Sequence, residues 1–200
     1  MKFLPRAALL AAALAAGTAA AATTLHPIAP GTTIAGPLVD LRSPASEGWH
    51  AGPVGHAQAP AFAFVRRTPD GTSDVALVSL FPAGESRAPD DFVARVRRLV
   101  EADAPAPRYL ERESHYEYTE ERGYPCVRVR TLADDTQAAL APDRTGTQQL
   151  ALHALHCRNP KRPHTGFAAG YSRRADRVDA AALAPEAQAF IDGIRPGTAD

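Results

Sequence analysis

Two segments hold the chain's only cysteines, and they constrain the fold more than any other feature. They are Tyr124-Pro-Cys-Val-Arg-Val-Arg-Thr-Leu132 and Leu150-Ala-Leu-His-Ala-Leu-His-Cys157. Both alternate as strands do, with successive side chains on opposite faces. A one-residue slip would exchange the faces, so the pairing register can be read from the pattern. Setting Cys126 opposite Cys157 places Arg128 beside Leu155 and Arg130 beside His153, and puts Val127, Val129 and Thr131 on the other face with His156, Ala154 and Leu152. The preceding alternating stretch, 108–119, joins the same register when Thr119 faces Cys126. Glu117 then lies beside Arg128 and His115 beside Arg130, while Tyr118 and Tyr116 lie beside Val127 and Val129. One face is apolar and aromatic; the other is a ladder of Glu117, Arg128, His115, Arg130 and His153. Cys126 and Cys157 are expected to form a disulfide. Its loop of about 30 residues would stabilise the fold by roughly 3–4 kcal/mol in the chain-entropy model.

The N-terminus bears on compartment. A basic start (Lys2, Arg6), an apolar run from Ala7 to Ala16 and the small residues Ala20-Ala21-Ala22 have the layout of a secretory signal peptide. The expectation is a signal peptide over 1–22 cleaved near Ala22, periplasmic or secreted localisation, and no integral membrane segment afterwards. An extended leader over 23–37, rich in Pro, Gly and Thr, precedes one domain over 38–196. Removing Lys2 and Arg6 from the 22 basic residues leaves 20 against 22 acidic ones, which gives no electrostatic case for nucleic acid.

The remaining pattern points to an α+β fold. Strands are expected near 38–42, after Trp49, at 61–67, 74–81 and 108–119, in the two cysteine segments and at 166–173. They make an antiparallel sheet of about 6–7 strands. Phe92, Val93, Val96, Leu99 and Val100 form one stripe of a central amphipathic helix over about 89–103, led by Pro89-Asp90-Asp91. A C-terminal helix is expected over about 185–195, with Pro185 in its first turn. The stretch 133–147, with its Asp, Gly, Pro and Thr, reads as a surface loop between the cysteine strands. Trp49 reads as a core anchor.

No arrangement of reactive residues identifies a catalyst, so no catalytic residue is assigned. Ser114 and His115 are adjacent on a strand and face apart. Glu113 and Glu117 stand about 13 Å apart along it, too far to act on one bond. His153 and His156 point to opposite faces, and a disulfide would remove Cys157 as a ligand. No metal site and no cofactor are expected. Arg128, Arg130, His115 and His153 remain as the candidate ligand-binding residues, suited to a carboxylate or phosphate. A second basic group, Arg158, Lys161, Arg162, Arg173, Arg174 and Arg177, reads mainly as a solvated turn and strand end.

The order of strands and helices resembles the PsbP-like α/β/α sandwich. Short stretches also resemble a group of uncharacterised secreted proteins of GC-rich proteobacteria. These are Ser46-x-Gly48-Trp49, Phe62-x-Phe64-x-Arg66-Arg67, Arg122-Gly-Tyr-Pro-Cys-Val-Arg128, His153-Ala-Leu-His-Cys-Arg-Asn-Pro160 and Gln188-Ala-Phe190. PsbP-like proteins are mainly assembly factors and accessory subunits, so the resemblance implies a non-enzymatic interaction role. The functional expectation is therefore a periplasmic accessory or interaction module with a periplasmic protein partner. The alternatives are a protein that binds a small anionic ligand on the Arg128/Arg130/His115/His153 face, and a hydrolase.

Overall fold

Strands that alternate polar and apolar residues need a covered face, and here both faces of one large sheet carry a helix. The structure, a computed structural model, describes residues 24–36, 38–56, 59–86, 88–141 and 144–197. The expected signal peptide over 1–22 lies outside the described residues. The fold is α+β, with two helices. In chain order the strands are β1 (His26–Pro27), β2 (Thr33–Ile34), β3 (Val39–Arg42), β4 (His50–His56), β5 (Ala59–Arg67), β6 (Ser73–Pro82), β7 (Tyr109–Thr119), β8 (Cys126–Ala141), β9 (Arg144–Asn159), β10 (Arg162–Ala175) and β11 (Arg195–Pro196). Helix α1 (Pro89–Asp103) lies between β6 and β7, and α2 (Ala180–Asp192) follows β10. An eight-stranded antiparallel sheet runs β1-β4-β5-β6-β10-β9-β8-β7, and a three-stranded one runs β11-β3-β2.

The register is the one that face-matching demands. Cys126 pairs with Cys157, Arg128 with Leu155 and Arg130 with His153. Thr119 pairs with Cys126, Glu117 with Arg128 and His115 with Arg130. The sulfurs of Cys126 and Cys157 are bonded.

Helix α1 occupies the expected 89–103. Asp90 and Asp91 sit in its first turn, where the helix dipole favours acid, and the Asp91 carboxylate accepts from the Ala88 N–H at 3.2 Å. Its buried Phe92 and Val96 pack on Val127, Val129, Ala154 and Ala168. Burying each side chain contributes about 1.5–3 kcal/mol. Helix α2 lies on the other face. Its Leu183, Ala187, Phe190 and Ile191 join Trp49, Phe64, Phe167, Ala169 and Tyr171 in the larger core. Trp49 is only 2% exposed, as a core anchor should be.

Four expectations are corrected. The sheet holds more strands than the expected 6–7, partly because the leader pairs: β1 adds to β4, and the Ile28 N–H donates to the Trp49 carbonyl at 3.0 Å. The stretch 133–147 is not a surface loop. Strand β8 runs on to Ala141 and pairs with β9 from Arg144, and Asp135 stays in the strand because Arg108 and Arg174 neutralise its fully buried carboxylate. Helix α2 begins five residues before Pro185, not at it. The Asp179 carboxylate caps it, accepting from the Ala181 and Ala182 N–H groups at 2.9 and 3.1 Å, and Ala180 to Ala182 propagate the helix well. The last expected strand begins at Arg162 and carries a bulge between Arg162 and Gly166. Gly166 is required there, because a Cβ would enter the Phe81 ring.

Candidate functional site

Helix α2 does not cover its whole sheet face. It packs over β9 and β10, and β7 and β8 extend beyond it. A groove of about 830 Å³ is left between the helix flank and the polar ladder of the sheet. Both ends are fixed by hydrogen bonds to the helix. At the first turn, His153 Nε2 donates to the Ala180 carbonyl at 3.0 Å. At the last turn, Arg122 donates to the carbonyls of Ile194 (2.8 Å) and Ile191 (2.7 Å) and to Asp192 Oδ1 (3.1 Å). A cation at a helix C-terminus is favoured by the helix dipole. The groove thus follows the 13 residues of α2, about 20 Å at 1.5 Å per residue.

Its electrostatics divide cleanly. Arg122, Arg128, Arg130 and Arg195 line it, with Glu121 and Asp192 as the carboxylates. Arg122 is taken by Asp192, and Arg128 by Glu121 at 2.9 Å, with Glu117 at 3.9 Å. Arg130 and Arg195 are exposed, and among the described residues neither guanidinium has a partner. Arg130 borders a smaller hollow beside the N-terminal turn of α2, and Arg195 follows the C-terminal end. Leu155, Ala184, Pro185, Ile191 and Pro196 supply an apolar floor and wall. His153 is held below the usual imidazole range, first by burial and then by the nearby Arg130 charge, against the opposing effect of its bond to Ala180. It is neutral at pH 7, with its Nε2 proton committed to the helix.

Of the four residues singled out in the sequence, Arg128, Arg130 and His153 line the groove. His115 does not. Its ring reaches Glu113 at 2.7 Å, and it borders only the smaller hollow of about 400 Å³ beside Arg130 and His153. Sequence reasoning missed Arg122, Arg195 and the helix wall of Pro185, Gln188 and Asp192. The last three recur at spacings of three and four inside the expected helix, and the packing of α2 across β9 is what turns that stripe to the groove. The second basic group disperses: Arg173 pairs with Asp74, Arg174 with Asp135, Arg158 lies over the Phe92 ring, and Lys161 Nζ donates to the Gly197 carbonyl.

Ser114 Oγ bonds Thr131 Oγ1 at 3.3 Å and stands apart from His115. Among the described residues, no three His, Cys, Asp or Glu side chains are grouped to hold a metal ion. No helix among them is long and apolar enough to cross a membrane.

No protein-family model matches the sequence, and no curated protein matches it. Solved structures do. The Ran-binding protein Mog1p of Saccharomyces cerevisiae aligns over 86% of this chain and 95% of its own, at 11% identity and a TM-score of 0.47. A point mutant of Mog1 aligns over the same shares at 10% identity and a TM-score of 0.45. The matched structures are not named as the PsbP-like or proteobacterial proteins that the order of strands and helices suggested, an order compatible with many topologies. Neither matched structure is named as a periplasmic or secreted protein, the localisation expected from the sequence, and the expected signal peptide over 1–22 lies outside the described residues. Nor are the matched structures named for what the sequence led one to expect: a periplasmic-protein or small-anion partner, a periplasmic accessory role, or its anion-binding and hydrolase alternatives. The protein matched is instead a yeast Ran-binding protein, and at so low an identity and TM-score its binding activity does not carry over to this chain.

Proposed function

We propose that the chain is a protein-binding module that holds an extended, acidic segment of a partner protein in the groove beside α2. The observation carrying this reading is the pair of guanidiniums without a partner among the described residues, Arg130 and Arg195, near opposite ends of a partly apolar groove. The groove's length of about 20 Å suits roughly six residues of extended peptide, at 3.3 Å or a little more per residue. A bare anion would satisfy one arginine and leave Ala184, Pro185 and Pro196 uncovered. A segment with two carboxylates about four residues apart, separated by apolar side chains, meets both cations and covers that wall. Arg130 and Arg195 make the charged contacts, Arg128 adds a third guanidinium when its surface partner Glu121 swings away, and His153 positions the helix. His115 takes no direct part.

The test is fluorescence anisotropy with the fluorescein-labelled pentapeptide Glu-Val-Thr-Val-Glu, titrated with the full chain. The expected result is saturable binding that weakens with salt. Arg130→Ala and Arg195→Ala should each weaken it about tenfold, as loss of one charge-assisted hydrogen bond implies, and the Gln-Val-Thr-Val-Gln peptide should bind worse than either variant binds the acidic one. Absence of saturation, or equal binding by wild type and both variants, would overturn the reading.

A further inference from the structure

The groove beside α2 has a side chamber. A hollow of about 400 Å³ opens beside the N-terminal turn of the helix, and Arg130, His153 and Ala184 line both spaces. Its own walls are Leu132 of β8 and Ala180 and Ala181 of α2. Glu113 and His115 of the edge strand β7 stand on its outer side.

The hollow has a local cause. Arg130 and His153 face each other across β8 and β9, and His153 Nε2 ties the first turn of α2 to the sheet through the Ala180 carbonyl. The residues that turn offers are alanines, too short to fill the space above Leu132. Leu132 and Ala180 pack against the main core and yet stay partly exposed. An apolar side chain laid there would extend that core, and its burial is favourable. The charges at the mouth are unequal. Glu113 answers His115 at 2.7 Å, while Arg130 has no partner among the described residues. Arginine can meet a carboxylate at its edge and an aromatic ring at its face. The chain already uses the second contact: Arg97 lies 4.5 Å over the Tyr116 ring and Arg108 5.0 Å over that of Tyr109.

We infer that the hollow receives an aromatic side chain of the partner, adjacent to the carboxylate that meets Arg130. The inference rests on the groove reading and narrows it: the segment is acidic, with an aromatic residue flanking one of its two carboxylates. Arg130 then serves both groups, and the ring covers Leu132 and the alanines.

Anisotropy titrations of the full chain with two labelled peptides test this, Phe-Glu-Val-Thr-Val-Glu-Phe and Ser-Glu-Val-Thr-Val-Glu-Ser. A ring at each flank makes the outcome independent of the direction in which the segment lies. The Phe peptide should bind about tenfold tighter, as burial of one ring implies. The same peptide with cyclohexylalanine for Phe should fall between the two, having the bulk without the aromatic face. Ala181 lines the hollow and not the groove, so Ala181→Trp should fill it and bring the Phe and Ser peptides to equal affinity. On the wild-type chain, the methyl resonances of Leu132 should move upfield with the Phe peptide and not with the Ser peptide. Saturable binding of both peptides with equal affinity would overturn the inference and leave the groove reading standing; saturation by neither would overturn both. A Phe advantage that survives Ala181→Trp, or unmoved Leu132 methyls, would put the ring elsewhere and also defeat the inference. A cyclohexylalanine peptide as tight as the Phe one would remove its aromatic requirement.

Discussion

The face of the sheet beneath α2 carries two groups of arginines that differ in one respect. Toward β5, β6 and β10, Arg66 and Arg173 converge on Asp74, whose side chain is 2% exposed, at 2.6 and 2.7 Å. Both also reach Glu186 of α2 at 3.2 Å, and Arg66 donates to Ser46 Oγ. The hydrogen bond it donates to Asp74 raises Arg173 further above the usual guanidinium range. Toward β8 and the end of α2, Arg130 and Arg195 have no such carboxylate among the described residues. Residue type is the same in both places; the difference is whether the fold supplies the counter-charge. A guanidinium answered from within belongs to the architecture. One left unanswered beside an apolar groove is available to something outside the chain.

The largest effect expected from this contrast is at the answered end. Asp74→Ala leaves two guanidiniums facing each other in a partly buried site. Removing one partner of a buried ion cluster costs about 3–5 kcal/mol, and urea unfolding should show a loss of that size. A loss below about 1 kcal/mol would mean that Glu186 and solvent suffice, and the two arginine groups would no longer be distinct in kind.

A second effect separates the two faces of the sheet. His156, under α1, titrates at about 4 when folded, against an ordinary value near 6.5. Its folded pKa is depressed, so at pH values between these two the unfolded chain binds the extra proton and folding loses stability as pH falls. The contribution is complete above about pH 6.5 and is lost progressively down to about pH 4, by about 3 kcal/mol at most. His153, under α2, is shifted the same way by burial and adds in the same direction. Urea midpoints measured from pH 7 to pH 4 should fall for the wild type and fall less for His156→Phe. An equal slope in both would place the pH sensitivity elsewhere.

How much of this could be read from the chain follows from which interactions are local. The register of β7, β8 and β9 was legible because period two ties every residue to a face once the cysteines are set opposite each other. The distal half of the β8–β9 pair was not. Asp134 and Asp135 look like turn residues, and the partners that hold them in a strand, Arg112, Arg108 and Arg174, lie 22 to 39 positions away. The same limit applies to the groove. Its sheet side, Arg128, Arg130 and His153, came directly from the register. Its helix side did not, because Pro185, Gln188 and Asp192 reach the groove only through the packing of α2 across β9. Arg195 lies just past the helix, and its place at the groove depends on α2 packing across β9.

The smallest expected effect is the most discriminating. Arg130→Ala and Arg195→Ala remove exposed guanidiniums with no partner among the described residues, so each should change stability by no more than about 0.5 kcal/mol. Arg128→Ala should cost a little more, about 0–1 kcal/mol, because its bond to Glu121 is a surface pair. Stability alone would rank these three as the least important arginines on the α2 face. If the groove is the binding surface, peptide affinity ranks them in the opposite order, with Arg130 and Arg195 foremost and Asp74 showing no effect beyond the fraction of chain left unfolded. Unfolding and anisotropy measured on the same four variants give both rankings. Rankings that run in parallel would mean that the free guanidiniums matter only through the fold, and the comparison between the two arginine groups would lose its functional content.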